Sequence, residues 1–197
     1  MNKIFRKVFM IASLFSAGLL TSCEMDDPEV ENTAVAPMAG EWFVQWDVAD
    51  GSGGWEHVAD YSHIMTASTS NNTDSEMWVG DVFDDPRNLE STTIGSFWTF
   101  MVRAKVDLGA MTFTANDKSI ATVGAKAPTP AKPAGTPAVP YDINVKIMDG
   151  KIIKDGSTPP SGTTTDSIQF QIEFGDDPGT IYRASGYRRT GFLEDEH

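Results

Sequence analysis

From Ile168 to Phe174 every second side chain is large and apolar: Ile168, Phe170, Ile172 and Phe174, with Gln169, Gln171 and Glu173 between them. Side chains alternate across a strand, so this stretch buries one face and wets the other only as a β-strand. The same period recurs along the chain. Trp42, Val44, Trp46 and Val48 share one face, and Trp98, Phe100, Val102, Ala104, Val106 and Leu108 share another, opposite Thr99, Arg103, Lys105 and Asp107. Ile143, Val145 and Ile147 alternate with Asn144 and Lys146. Further strands are predicted at 61–67, 77–83, 111–115, 151–154 and 180–189, and no stretch carries the 3.6-residue period of an amphipathic helix.

Turn residues separate these runs: Asp50-Gly51-Ser52-Gly53-Gly54, Asp84-Asp85-Pro86, Asp149-Gly150 and Asp176-Asp177-Pro178-Gly179. Asp149-Gly150 between two apolar runs signals a tight hairpin, whose turn needs positive φ. About eight to ten antiparallel strands joined in sequence predict an all-β domain, an up-and-down β-barrel or a sandwich. The Ala-, Pro- and Thr-rich stretch 124–140 has no core of its own. Too few strands lie on either side of it to close a barrel, so it reads as a loop inserted in one domain.

The N-terminus carries a different signal. Lys3, Arg6 and Lys7 precede an uncharged apolar run from Val8 to Leu20. That run is shorter than the ~20 residues a membrane-spanning helix needs, and it has the flanks of a secretory signal peptide. Leu20-Thr21-Ser22-Cys23 resembles the lipobox of lipoproteins, which makes residues 1–22 the expected signal peptide and Cys23 the expected lipid attachment site. Cys23 is also the only cysteine, so no disulfide is possible. Acyl chains on Cys23 would bind a membrane peripherally, each buried methylene contributing about 0.8 kcal/mol. Glu24, Asp26, Asp27, Glu29 and Glu31 follow directly. They read as an acidic flexible tether over 23–38, and they are similar to the export tag of surface lipoproteins in Bacteroidetes. The expected location is the outer membrane, on the cell surface. The barrel domain is expected at 39–193, with an acidic tail at 194–197. A net charge of −13 argues against nucleic acid as a partner, because phosphate contacts need Lys/Arg clusters.

Gly40-Glu41-Trp42 opens the first strand and Arg188-Arg189 ends the last. This pairing resembles the lipocalin pattern, in which an early Gly-x-Trp packs beneath an arginine of the final strand. The indole would plug the closed end and a guanidinium, of Arg188 or Arg189, would stack on it. The alternative is a core tryptophan with two surface arginines; in both readings Trp42 is structural. Together with Phe97-Trp98, Val102 to Asp107 and the ending Ser185 to Phe192, these residues are similar to a family of Bacteroidetes lipoproteins labelled "lipid-binding putative hydrolase". The resemblance covers roughly 40–192. It implies a lipocalin- or calycin-like barrel and a lipid ligand, and it supplies no catalytic residues.

The residues give little support to hydrolysis. No Gly-x-Ser-x-Gly elbow is present, and the cysteine is used for anchoring. His57 and His63, with Glu56, Asp60 and Ser62 nearby, are the candidate catalytic base and orienter, or ordinary polar positions on a strand. Zinc-binding spacings are missing, and the two Asp-Asp-Pro turns supply only part of a calcium shell, so neither metal nor cofactor is expected. The aromatic content exceeds what a plug needs. Trp46, Trp98, Phe100 and Phe170 would line a cavity if the interior is hollow and form a core if it is filled. Trp55 and Trp78 lie near loops and could stack on a sugar ring. Three functions remain in order of preference: binding a lipid or small apolar ligand, binding glycan or protein through the loops over a filled core, and hydrolysis through His57 or His63.

Overall fold

The alternating stretches become the staves of a barrel. The computed structural model describes residues 32–81, 94, 98–119 and 143–197. Cys23, the signal peptide, most of the tether, Asp84-Asp85-Pro86 and the 124–140 loop lie outside the described residues. Among the described residues there are eight strands: β1 Gly40–Ala49, β2 Trp55–Ser68, β3 Glu76–Asp81, β4 Met101–Asp107, β5 Thr112–Lys118, β6 Asn144–Ser157, β7 Thr165–Phe174 and β8 Tyr182–Arg188. Each pairs antiparallel with its neighbours in sequence, and β8 pairs with β1, which closes an up-and-down barrel. Closure gives each of the described strands a partner on both sides.

The inward residues are the ones the alternation marks. Trp42, Val44 and Trp46 of β1, Val145, Ile147 and Ile152 of β6, and Ile168, Phe170, Ile172 and Phe174 of β7 are all essentially without exposed surface. Burying six large aromatics (Trp42, Trp46, Phe100, Phe113, Phe170, Phe174) together with these aliphatic side chains stabilises the barrel, at about 25 cal/mol per Å² of apolar surface removed from water.

Three local expectations change. Asp149-Gly150 is no hairpin: 144–157 is one continuous strand, and the pair is a β-bulge that shifts the β6–β7 register between Met148 and Lys151. A two-residue type I′ turn needs positive φ at both central residues, but here only Asp149 has it, at 51°. Gly150 serves close approach instead. A Cβ there would meet the Phe113 ring and carbonyl oxygen at 2.5 Å. The acidic tail at 194–197 is also part of the fold: Leu193–Asp195 is a 3₁₀ turn, and Asp195 is fully buried. The last residues of the expected tether are folded too, since Val35 and Met38, flanking and within the 3₁₀ turn Ala36–Met38, show no exposed surface.

Candidate functional site

One end of the barrel is closed by the residues that the Gly-x-Trp pattern singles out. Trp42 and Arg188 are register partners across the β1–β8 seam. The Arg188 guanidinium carbon sits 4.7 Å from the Trp42 ring centroid. The guanidinium also donates to the carbonyls of Ala39 (2.7 Å) and Pro37 (3.2 Å) and pairs with Asp166 at 3.0 Å. A Cβ on Gly40 would come within 3.0 Å of Arg188 Nη1, so glycine at this position leaves room for the guanidinium over the indole. The Trp42 indole N–H donates to Thr66 Oγ1 at 2.9 Å, and the Thr66 hydroxyl donates to the Met38 carbonyl at 2.6 Å. Arg189 has a different task. It bonds Glu41 (2.8 Å) and Glu196 (2.7 Å) on the outer wall, and its hydrogen bond is the main reason the Glu41 carboxyl titrates below the usual range.

Above this plug the interior is a run of rings. The Trp46 indole donates to Ser62 Oγ at 2.8 Å, and its ring meets Phe170 edge-on at 5.9 Å. Phe170 in turn meets Phe113 at 5.8 Å, and Phe100 meets Phe174 at 5.8 Å. Trp46, Phe100 and Phe170 have 0 % exposure, so no space wide enough for water adjoins them. A ligand seated among these three has to move rings aside. Trp98 differs: it keeps 8 % of its surface exposed and lies parallel to Phe174 at 4.4 Å, beside Tyr182. Its indole N–H points at both carboxylate oxygens of Asp176, at 3.0 and 3.2 Å. The Tyr182 hydroxyl donates to Asp177 at 2.9 Å, and burial followed by that carboxylate pushes the phenol well above its ordinary pKa. The carboxylates of Asp176-Asp177-Pro178 are thus bonded to ring N–H and O–H groups at the end of the barrel opposite the plug.

The two candidate histidines lie on the outer wall, apart from the interior rings. His57 has Nδ1 at 3.5 Å from Asp47 and Nε2 at 3.2 Å from Asp60, so a carboxylate faces each nitrogen. Asp47 also accepts from Arg183, whose guanidinium lies 4.6 Å over the Trp55 ring. His63 Nε2 is 3.1 Å from Glu41, with its ring 5.0 Å from Phe43. Ser62, next in sequence, turns inward to Trp46. Among the described residues no serine, threonine or tyrosine hydroxyl is hydrogen-bonded to His57, so the base–nucleophile contact that acyl transfer needs is not assembled there. Trp78 sits on the outer face of β3, in register with Ala67 and Arg103.

A second aromatic group, not foreseen from the sequence, covers the outer wall near the plug. His197 stacks on Tyr61 at 3.6 Å and is hydrogen-bonded to the Tyr187 hydroxyl, which also donates to the Asp195 carbonyl at 3.0 Å. Asp195 accepts from the Ser161 backbone (2.7 Å) and hydroxyl (2.6 Å) and from Thr190 (2.6 Å). Burial alone would raise the Asp195 carboxyl, but these bonds together hold it below its usual range. The signal was present in parity: Phe43 and Tyr187 are aromatics on the outward phase of β1 and β8, where solvent-facing residues belong.

A family model described as "Lipid-binding putative hydrolase" matches residues 27–193 of the 197. No curated protein matches the chain at a significant level. With the matched span taking in all eight strands, the Trp42–Arg188 plug and the Trp98 end, this chain belongs to the lipid-binding putative hydrolase family.

Proposed function

We propose that this protein is an outer-membrane lipoprotein, attached through acyl chains on Cys23 and displayed on the cell surface, whose barrel binds a lipid or another small apolar ligand. The observation that carries the reading is the asymmetry of the barrel. One end is sealed by Trp42 and Arg188, and the other presents the stacked Trp98–Phe174 pair with residual exposure on Trp98. An apolar chain offered to that pair meets flat ring surface continuous with a mainly apolar interior that holds a few buried polar groups such as Ser62 and Thr66, which is the lining that ligand sites of this kind use. Family membership supports the same ligand class. Hydrolysis has no comparable support, because both ring nitrogens of His57 face carboxylates and, among the described residues, neither faces a hydroxyl nucleophile.

The test has two parts. Full-length protein purified gently and examined by native mass spectrometry and solvent extraction is expected to carry a lipid, and fatty-acid or fatty-alcohol probes are expected to change its tryptophan fluorescence. Trp98→Ala should weaken probe binding by about tenfold, the equivalent of 1.4 kcal/mol. A consistently empty protein that binds neither probe would overturn the reading. For the anchor, Cys23→Ala should release the protein from the membrane fraction, and globomycin should accumulate an unprocessed precursor. Wild-type membrane association of Cys23→Ala would refute the lipid attachment.

A further inference from the structure

The outer wall of the barrel holds a groove with a chemistry of its own. It has a volume of about 340 Å³ and runs over the outward faces of β1, β8, β7 and the bulged end of β6. That volume falls in the range of small-molecule sites, roughly 300–1,000 Å³. Its walls include Tyr61 and Tyr187, and its polar groups come from Gln45, Ser185, Gln169 and Ser167. Gln45 is the register partner of Ser185, and Ser185 of Gln169, so amide, hydroxyl and amide stand in one row across three strands. At a strand spacing of about 4.8 Å the row spans roughly 10 Å.

Three features make this a binding surface of defined class. First, none of the ten lining residues is charged, on a chain with net charge −13. Second, the polar side chains are unspent. Among the described residues, Gln45, Gln169, Ser167 and Ser185 have no side-chain hydrogen-bond partner, whereas the neighbouring Gln171 is committed to Asp149 at 3.3 Å. Third, the floor is low. Gly156 lies against Ser167 and the Ile153 carbonyl with no room for a side chain, and Gly186, on the inward phase of β8, adds only backbone to the floor. The rings beside this floor are held still: Tyr187 by its bond to the Asp195 carbonyl, and Tyr61 by its stack on His197.

Amides and hydroxyls each both donate and accept, which is what a row of vicinal hydroxyls requires, and the part-exposed Tyr61, backed by the buried Tyr187, offers ring surface to the apolar C–H face of a sugar ring. Ionic ligands find no counter-charge here. We infer that the groove between Tyr61–Tyr187 and the Gln45–Ser185–Gln169 row is a second site, distinct from the barrel interior, that binds a neutral carbohydrate. This places sugar recognition away from Trp55 and from Trp78 on β3, neither of which lines the groove.

The test uses the full chain in a sugar-free detergent, with maltose, cellobiose, lactose and N,N′-diacetylchitobiose as probes in saturation-transfer NMR. At least one is expected to bind with a dissociation constant on the order of 1 mM. Gln45→Ala/Gln169→Ala should weaken that probe at least about tenfold while leaving the melting temperature and fatty-acid binding as in the wild type. Ser185→Gln, which fills the middle of the row, should also block it. Sialyllactose, an anionic glycan, should bind no better than lactose. Absence of transfer from all four neutral probes at about 10 mM, or equal binding by the double variant, would overturn the inference without touching the lipid-binding reading.

Discussion

Arg188→Ala tests whether the closed end is a stacked plug or an incidental contact. Wild-type Arg188 stacks on Trp42 at 4.7 Å, donates to two backbone carbonyls and pairs with Asp166 at 3.0 Å. The stacking contributes about 1 kcal/mol. The two charge-assisted bonds contribute about 1.5 kcal/mol together after discounting for a side chain that remains 26 % exposed. The ion pair, with both partners about a quarter exposed, contributes about 0.5 kcal/mol. The expected loss is therefore about 3 kcal/mol, or roughly 6–12 °C in melting temperature for a domain of this size. Thermal unfolding followed by near-ultraviolet circular dichroism measures both the shift and the change in tryptophan environment. Two companions sharpen it. Arg189→Ala removes bonds only to Glu41 and Glu196, both substantially exposed, and should shift melting by less than a third as much. Arg188→Lys keeps a charge near Asp166 and loses the flat stack and the forked donors, so it should recover little. An Arg188→Ala protein melting within about 2 °C of wild type, or no better separated from Arg189→Ala, would refute the plug.

Gly150→Ala should destabilise the barrel by about 1–3 kcal/mol in urea unfolding, because the new methyl meets the Phe113 ring and carbonyl, whereas Asp149→Gly relieves a positive φ and should be neutral or stabilising. Stability should also fall at high pH. Burial first, then Tyr61, Asp195 and Glu196, raise the Tyr187 phenol from 10.0 to about 12, so the folded state favours the neutral form. Its contribution is complete below pH 10 and disappears as pH rises towards 12; Tyr182 acts with the same sign, so Tyr187→Phe should flatten the urea midpoint over this window without abolishing the slope. His57→Ala/His63→Ala should leave any hydrolysis of a responsive ester unchanged; loss of activity with an unchanged melting temperature would restore the histidines as candidates.

Much of the wall was legible because alternation is a local property. Ile168 to Phe174 fixes its own inward face, and the chain needs no distant information to do so. The choice between Arg188 and Arg189 was not legible in this way: Tyr187 marks one phase of β8 and Ala184 the other, and only the burial of Ala184 on the inward phase, counted by twos, reaches Arg188. The bulge was legible only in part. Val145 and Ile147 face inward on odd numbers and Ile152 on an even one, but Ile153 keeps the odd phase apolar too, so only the burial of Ile152 with Ile153 exposed shows that a residue is gained between them. The first half of β2 escaped notice because Trp55 to Asp60 shows no buried face to mark it; those residues are held by pairing with β1. The C-terminal turn is a different case. Asp195 is buried by Ser161, Thr190 and Tyr187, partners up to 34 positions away, and nothing local in Leu193-Glu194-Asp195 announces them. The outer groove was out of reach for the same reason, since it exists only where β1, β2, β6, β7 and β8 share a surface.

The three inward tryptophans show which end of the barrel yields first. Trp42 and Trp46 donate their indole N–H groups to Thr66 and Ser62, both on β2, so each bond ties one strand of the wall to its neighbour. Breaking either requires the wall itself to distort, and a closed barrel resists that because every strand is paired on both sides. Trp98 precedes β4, and its indole is held by Asp176, which follows β7 in the turn leading to β8. That bond can be exchanged for water or for a ligand group without breaking a single strand pairing. The rings below have no exposure and Trp98 has some, so an incoming apolar chain reaches Trp98 before it can reach Phe100, Phe170 or Trp46. Ligand-dependent change in fluorescence should accordingly fall on Trp98 first. A Trp98→Phe variant that keeps binding should lose most of the signal, whereas a signal that survives there would place entry through the wall and contradict the sealed, strand-tied half of the barrel.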